Sequence, residues 1–414
     1  MVDVLRPSVP AGGGSARAAG ADVAAPRLPS LTGIRFVAAG MVFAFHMTFA
    51  GLFLSQSVSQ RYFSVFFQGG WTGVGFFFVL SGFVLAWSRR PGDTAPALWR
   101  RRLVKIYPNH LITFGIAFLV LTYVTKASID GRSAIANLFL VHAFFPQAGY
   151  RYSMNEVTWS LSCELLFYLA FPLLMALVAR IRPERLWAWA AGLVAAIVAM
   201  PSISSLLPAG PALPPMGVSD KQMWFLYQFP PVRMLDFVFG IVMARIVLTQ
   251  RRLPFGLGGA AAFAVAAYAL APLFPPTYHF AAVMVLPLGL LIAAAAANDV
   301  EGRPTVLSTR VAVWLGEISF AFYLWQGILN YIWPKFHKGH GWNVPTALGV
   351  YALLVAATVV ASWLLYALVE RPTTRRFSRP RKRTTSVPVG TGVVVTVPAP
   401  AAPVDALREP LPEA

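Results

Sequence analysis

The stretch L-T-G-I-R-F-V-A-A-G-M-V-F-A-F-H-M-T-F-A-G-L-F-L, residues 31–54, decides the fold: it is long and apolar enough to cross a bilayer, yet it carries Arg35 and His46. A cation and a titratable ring inside a membrane-length segment are costly, and they mark function by default. Eleven residues at about 100° each bring His46 back to within roughly 20° of Arg35's face, roughly 16 Å further along the axis. One helix would then hold a cation near one membrane surface and a proton acceptor deep inside, both facing one cavity. The bland alternative has Arg35 snorkelling to the interface and His46 bonding a neighbouring helix.

Working outward, composition agrees with a membrane protein. The chain has 414 residues, of which 57% are hydrophobic and 12% charged, with a mean hydropathy of +0.62. Soluble globular chains carry roughly 25% charged residues. The net charge of +18 would suit nucleic acid, but Lys and Arg cluster in short loops and tails between apolar blocks, which is the positive-inside pattern. The expected partner is therefore the lipid bilayer and not nucleic acid. Cys163 is the single cysteine, so no intramolecular disulfide and no multi-cysteine zinc site are expected.

Ten apolar segments have cores near 31–53, 66–88, 106–124, 159–179, 187–206, 228–248, 254–273, 279–297, 312–334 and 347–369. The shorter stretch 135–146 reads as re-entrant or interfacial. Basic loops (Arg89, Arg90, Arg100, Arg101, Arg102 and Lys105; then Arg180, Arg182 and Arg185; Arg251 and Arg252; Arg303 and Arg310) alternate with loops carrying few or no basic residues. The expected fold is thus all-α, a polytopic bundle of about ten transmembrane helices with both termini cytoplasmic. The membrane domain spans 29–372. Residues 1–28 and the basic, Pro-rich 373–414 read as disordered cytoplasmic tails. No internal repeat is visible, which weighs against a transporter built from inverted halves.

With this topology His46, Glu164, Arg233, Asp236 and Gln326 fall in one layer of the outer half-membrane. Each alone could be a structural hydrogen bond, but together they suggest a lined polar cavity. A histidine near a carboxylate can act as general base on a hydroxyl. Ser160, Ser162 and Cys163 are common helix-packing residues and give little support to a covalent intermediate. No paired-histidine spacing suggests a metal, so none is expected. At the inner surface, R-R-R-L-V-K-I-Y-P places Arg102 and Lys105 on one helix face beside Arg101. They are either topology signals or a dock for an anionic cofactor.

These motifs, taken in order, resemble the acyltransferase-3 family of bacterial integral-membrane O-acyltransferases over roughly residues 29–372. The matching stretches are residues 31–46 with the Arg/Lys-x10-His pattern, W-T-G-V-G-F-F-F-V-L-S-G-F (71–83), R-R-L-V-K-I-Y-P (101–108) and V-T-W-S-L-S-C-E-L-L-F-Y (157–168). P-V-R-M-L-D-F-V-F-G (231–240), L-G-E-I-S-F-A-F-Y-L-W-Q (315–326) and V-E-R-P (369–372) complete the set. The resemblance implies transfer of an acyl group from acyl-coenzyme A, a substrate and not a permanently bound cofactor, to a hydroxyl of a sugar or glycosylated small molecule. It implies His46 as base, Arg35 as its partner along the donor path and Glu164 as a cavity carboxylate. Arg101, Arg102 and Lys105 then hold the cofactor phosphates, while Trp159, Ser160, Arg233, Asp236, Tyr323 and Gln326 contact substrate. Two positions depart from the pattern: Lys105 stands where Arg is usual, and Gln326 where many members carry His. The stand-alone form resembles enzymes that decorate macrolide sugars, and the implied location is the bacterial cell membrane. The competing reading is an exporter of a glycan or small glycoside. The sequence assigns no oligomeric state.

Overall fold

The computed structural model describes residues 26–377 apart from 90, 91, 209, 338 and 340. The expected tails at 1–25 and 378–414 lie outside the described residues. The chain opens with α1 (Pro29–Met47), α2 (Gln56–Phe66), α3 (Gly69–Trp87), α4 (Ala95–Leu119) and α5 (Gly131–Leu138). The middle runs through α6 (Ala148–Arg151), α7 (Trp159–Ala179), α8 (Leu186–Ser204), α9 (Asp220–Met223) and α10 (Pro230–Leu248). It closes with α11 (Leu257–Leu270), α12 (Val285–Val300), α13 (Arg310–His337), α14 (Val344–Leu365) and α15 (Arg371–Phe377). The sole sheet among the described residues is the two-residue antiparallel pair β1 (Ala212–Leu213) and β2 (Val218–Ser219).

An all-α membrane architecture is what apolar helices demand, because lipid offers no partner to a free backbone group. Seven helices are long and apolar enough to cross: Pro29–Met47, Gln56–Trp87, Ala95–Thr125, Glu156–Ala179, Pro183–Ser204, Arg310–His337 and Val344–Phe377. The three other expected spans fall short of that standard. α10 is 19 residues long and carries Arg233, Asp236 and Arg245, while Leu257–Leu273 and Val285–Val300 are shorter. Helix starts follow local chemistry. Asp130 accepts from the Ser133 N–H at 2.8 Å to cap α5, and Asn343 accepts from the Thr346 N–H at 3.0 Å to cap α14. Proline opens α1, α4, α10 and α14, where its missing N–H costs nothing.

The stretch 135–146 does not span. Leu140, two residues past α5, has φ +55°, and a 3-10 turn at His142–Phe144 folds back against α7. Asn137 fixes this return by donating to the Ser153 carbonyl at 2.8 Å and to Thr158 Oγ1 at 3.0 Å. His142 Nδ1 lies 3.2 Å from Ser162 Oγ. Burial pushes the His142 imidazole down to about 3, so it stays neutral here.

α1 packs between α3 and α13, and α3 packs closely on α10. Glycine makes the second contact possible. A Cβ on Gly82 would strike the Phe237 carbonyl, and one on Gly240 would strike the Val79 carbonyl and the Phe83 nitrogen. The two backbones therefore touch, as small residues allow in membranes. Because the obstruction is backbone and cannot rotate away, Gly240→Ala should destabilise the bundle by about 3 kcal/mol, at the upper end for overpacking. Thermal unfolding in detergent measures this, and Gly115→Ala, with open space at its Cβ, is the control.

Candidate functional site

Two chambers adjoin inside the bundle. The first holds about 820 Å³, counting its open mouth. α1 brings Arg35 to it, α4 brings Arg102 and Lys105, α7 brings Glu164 and Tyr168, and α3 brings Ser81. Spacing brings Arg102 and Lys105 together, since residues three or four apart are neighbours on a helix surface. Arg101, four residues before Lys105, does not line the chamber and pairs with Asp93 at 3.0 Å. Glu164 accepts from Tyr168 Oη at 2.9 Å and Ser81 Oγ at 3.3 Å, and the Arg102 guanidinium lies 5.8 Å from the Tyr168 ring centroid. Behind the chamber Glu370 accepts from Asn109 Nδ2 at 2.7 Å. The buried Nε atoms of Arg35 and Arg102 have no hydrogen-bond partner among the described residues. Three cations against one lining carboxylate, with donors unused, make a basic pocket suited to an anion.

The second chamber, about 690 Å³, sits at the far end of α1. His46 lines it with Glu156, Trp159, Trp71, Tyr227 and Gln228. His46 Nδ1 lies 3.2 Å from Gln326 Oε1. If Nδ1 donates to that oxygen, Nε2 is the unprotonated nitrogen and can accept a proton. Tyr227 and Gln228 arrive on a π-helical stretch, Trp224–Gln228, an irregularity common at functional sites. Arg151 stands behind this wall, clamped by Asp220 at 2.6 Å, by Gln228 and by the Pro146 carbonyl at 3.1 Å.

Val74 and Tyr323 line both chambers. Tyr323 Oη donates to the Val157 carbonyl at 2.9 Å and accepts from Ser160 Oγ at 2.9 Å, which pins the ring between them. Arg35 and His46, on one face of α1, reach the two sides of this waist.

The single outer polar layer expected from depth does not form. Glu164 belongs to the basic chamber, because entering α7 at Trp159 places it more than a turn deeper than His46's cavity wall. Glu156, in the turn before α7, is the carboxylate that shares a chamber with His46. Arg233 and Asp236 pair with each other at 3.0 Å, and Arg233 also donates to the Leu226 and Phe280 carbonyls. This i,i+3 pair forms within one helix and borders neither chamber. Trp159 lies in the His46 chamber, Ser160 in the basic one, and Gln326 is fully buried beneath His46. Reading by span depth missed Glu156 and Tyr152, which precede the apolar core of α7, and Gln228, which ends the π-helical stretch at the very start of its own core. Ser81 and Tyr168, by contrast, stood within quoted motifs. Among the described residues no group of three His, Cys, Asp or Glu side chains could hold a metal ion.

The family model described as acyltransferase domain matches residues 28–367. The chain is 40% identical over 364 residues to Acyltransferase MdmB of Streptomyces mycarofaciens, covering 86% of this chain and 94% of that protein. It is 24% identical to Exopolysaccharide production protein ExoZ of Rhizobium meliloti, covering 75% and 91%. Peptidoglycan O-acetyltransferase OatA of Listeria monocytogenes is 21% identical, covering 83% of this chain and 55% of that protein. No solved structure matches significantly. A family match over most of the chain, on a helical membrane scaffold, makes this protein a member of the acyltransferase-3 family of membrane O-acyltransferases.

Proposed function

We propose that the basic chamber takes acyl-coenzyme A from the cytoplasm and that the His46 chamber presents a sugar hydroxyl of a glycosylated small molecule from the other side. The observation that carries this reading is the pair of adjoining chambers of opposite character, joined at Tyr323 and threaded by α1. Arg35, Arg102 and Lys105 bind the phosphates, and the pantetheine arm runs the roughly 16 Å of α1 between Arg35 and His46. His46 Nε2 takes the acceptor's hydroxyl proton as its oxygen attacks the thioester carbonyl. The C–S bond then breaks, and the leaving thiolate recovers the proton. Glu164, hydrogen-bonded by Tyr168 and Ser81, balances part of the basic chamber's charge. The proposal places ten spans in the bacterial cell membrane with both termini cytoplasmic, so that α10, α11 and α12 also cross.

The deciding experiment is transfer from radiolabelled acyl-coenzyme A by purified protein in detergent, with no transmembrane gradient. An exporter would show no transfer. In the same assay Arg102→Gln with Lys105→Gln should raise the KM for acyl-coenzyme A about tenfold or more while kcat at saturation falls less, the pattern of lost uniform binding. The double variant should also lose its preference for the full cofactor over a truncated thioester lacking phosphates. A retained preference would make these residues topology signals.

A further inference from the structure

We propose that the His46 chamber selects a hydroxylated acceptor bearing an alkylated ammonium group, held between the Glu156 carboxylate and the rings of Trp71, Trp159 and Tyr227. This rests on the reading of that chamber as the acceptor site. Among the described residues no Lys or Arg side chain lines it, and Glu156 is its lone carboxylate. Glu156 accepts a hydrogen bond from the Asn330 amide at Oε1, 2.6 Å. Arg151, the neighbouring guanidinium, is already clamped by Asp220 and lies behind the Tyr152 ring, 5.1 Å from its centroid. A half-buried carboxylate without a cation is costly, and a bound ligand's charge would offset that cost.

His46 could supply the positive charge itself only by being protonated, and an imidazolium cannot accept the hydroxyl proton. A cation on the acceptor balances Glu156 while leaving the base neutral. The rings suit such a group. Trp71 and Tyr227 stand 4.7 Å apart at 89°, Trp159 and Tyr227 4.5 Å apart at 57°, and Phe45 and Trp71 5.0 Å apart at 56°. Trp71, Trp159 and Tyr227 line the same chamber as Glu156, and aromatic faces attract alkylated ammonium ions. A fully alkylated nitrogen has no N–H to acylate, so the hydroxyl remains the nucleophile.

The test is a titration of tryptophan fluorescence on the full chain in detergent at constant ionic strength. The probes are choline chloride and its uncharged isostere 3,3-dimethylbutan-1-ol. Saturable quenching by choline is expected, with about tenfold weaker binding of the isostere. Glu156→Gln should bind choline about tenfold more weakly, and Glu156→Asp should restore part of the loss. Equal binding of the two probes by the wild-type protein, a comparison that needs no variant, would overturn the proposal. So would wild-type choline affinity in Glu156→Gln. Binding is read without acyl donor, so its failure leaves the transfer reading standing, and failure of transfer leaves this result readable.

Discussion

Replacing His46 by alanine should lower acyl transfer by about 10²–10⁴-fold, the usual loss when a general base is removed. Binding of acyl-coenzyme A should stay near wild type, because the cations proposed to hold it line the other chamber. Equilibrium binding of the donor and single-turnover transfer, measured on one preparation, separate the two effects. Gln326→Ala should give a smaller loss, because the base remains while its ring loses the 3.2 Å contact at Nδ1. Wild-type turnover in a well-folded His46→Ala protein would remove His46 from the chemistry.

Breaking the buried Arg233–Asp236 pair should strongly destabilise the bundle. The side chains are 1% and 3% exposed, so Arg233→Met would strand a buried carboxylate, at a cost of about 3–5 kcal/mol. Asp236→Leu leaves Arg233 with two long contacts to carbonyls, 3.4 and 3.3 Å, and the Phe78 face at 5.2 Å, so it should cost somewhat less. Replacing both residues by Met and Leu should recover most of the loss, since a buried ion pair contributes little against apolar side chains of similar volume. Thermal unfolding in detergent gives the stabilities, and the transfer assay gives the role. A folded double variant that transfers normally makes the pair structural. One that folds but cannot transfer would restore the substrate contact expected from sequence.

The helical class and most helix positions were legible because apolar length and proline placement are local properties of the chain. Arg35 and His46 were legible for a similar reason: one helix and its periodicity fix their relative direction. Arg102 and Lys105 share a face for the same cause, and that face does line the basic chamber. What depth could not supply was lateral position. Glu164, Arg233 and His46 were placed by distance along their helices, yet which cavity each meets depends on how α7 and α10 rotate against their neighbours. Glu156 escaped because it precedes the apolar core of its span. Glu370, although inside the quoted V-E-R-P, approaches Asn109 only through the packing of the last helices on α4.

The pinned tyrosine at the waist has a consequence for the cell. A protein whose substrates come from opposite faces of a membrane needs a passage between them, and a passage filled with water would conduct protons and discharge the membrane potential. Val74 supplies an apolar side to the constriction, which disfavours a continuous water column. Tyr323, its hydroxyl committed to Val157 and Ser160, has its proton and one lone pair already engaged and is poorly placed to relay protons. Under the proposed reaction, one ring would thus separate the donor chamber from the acceptor chamber and keep a two-sided site from becoming a leak.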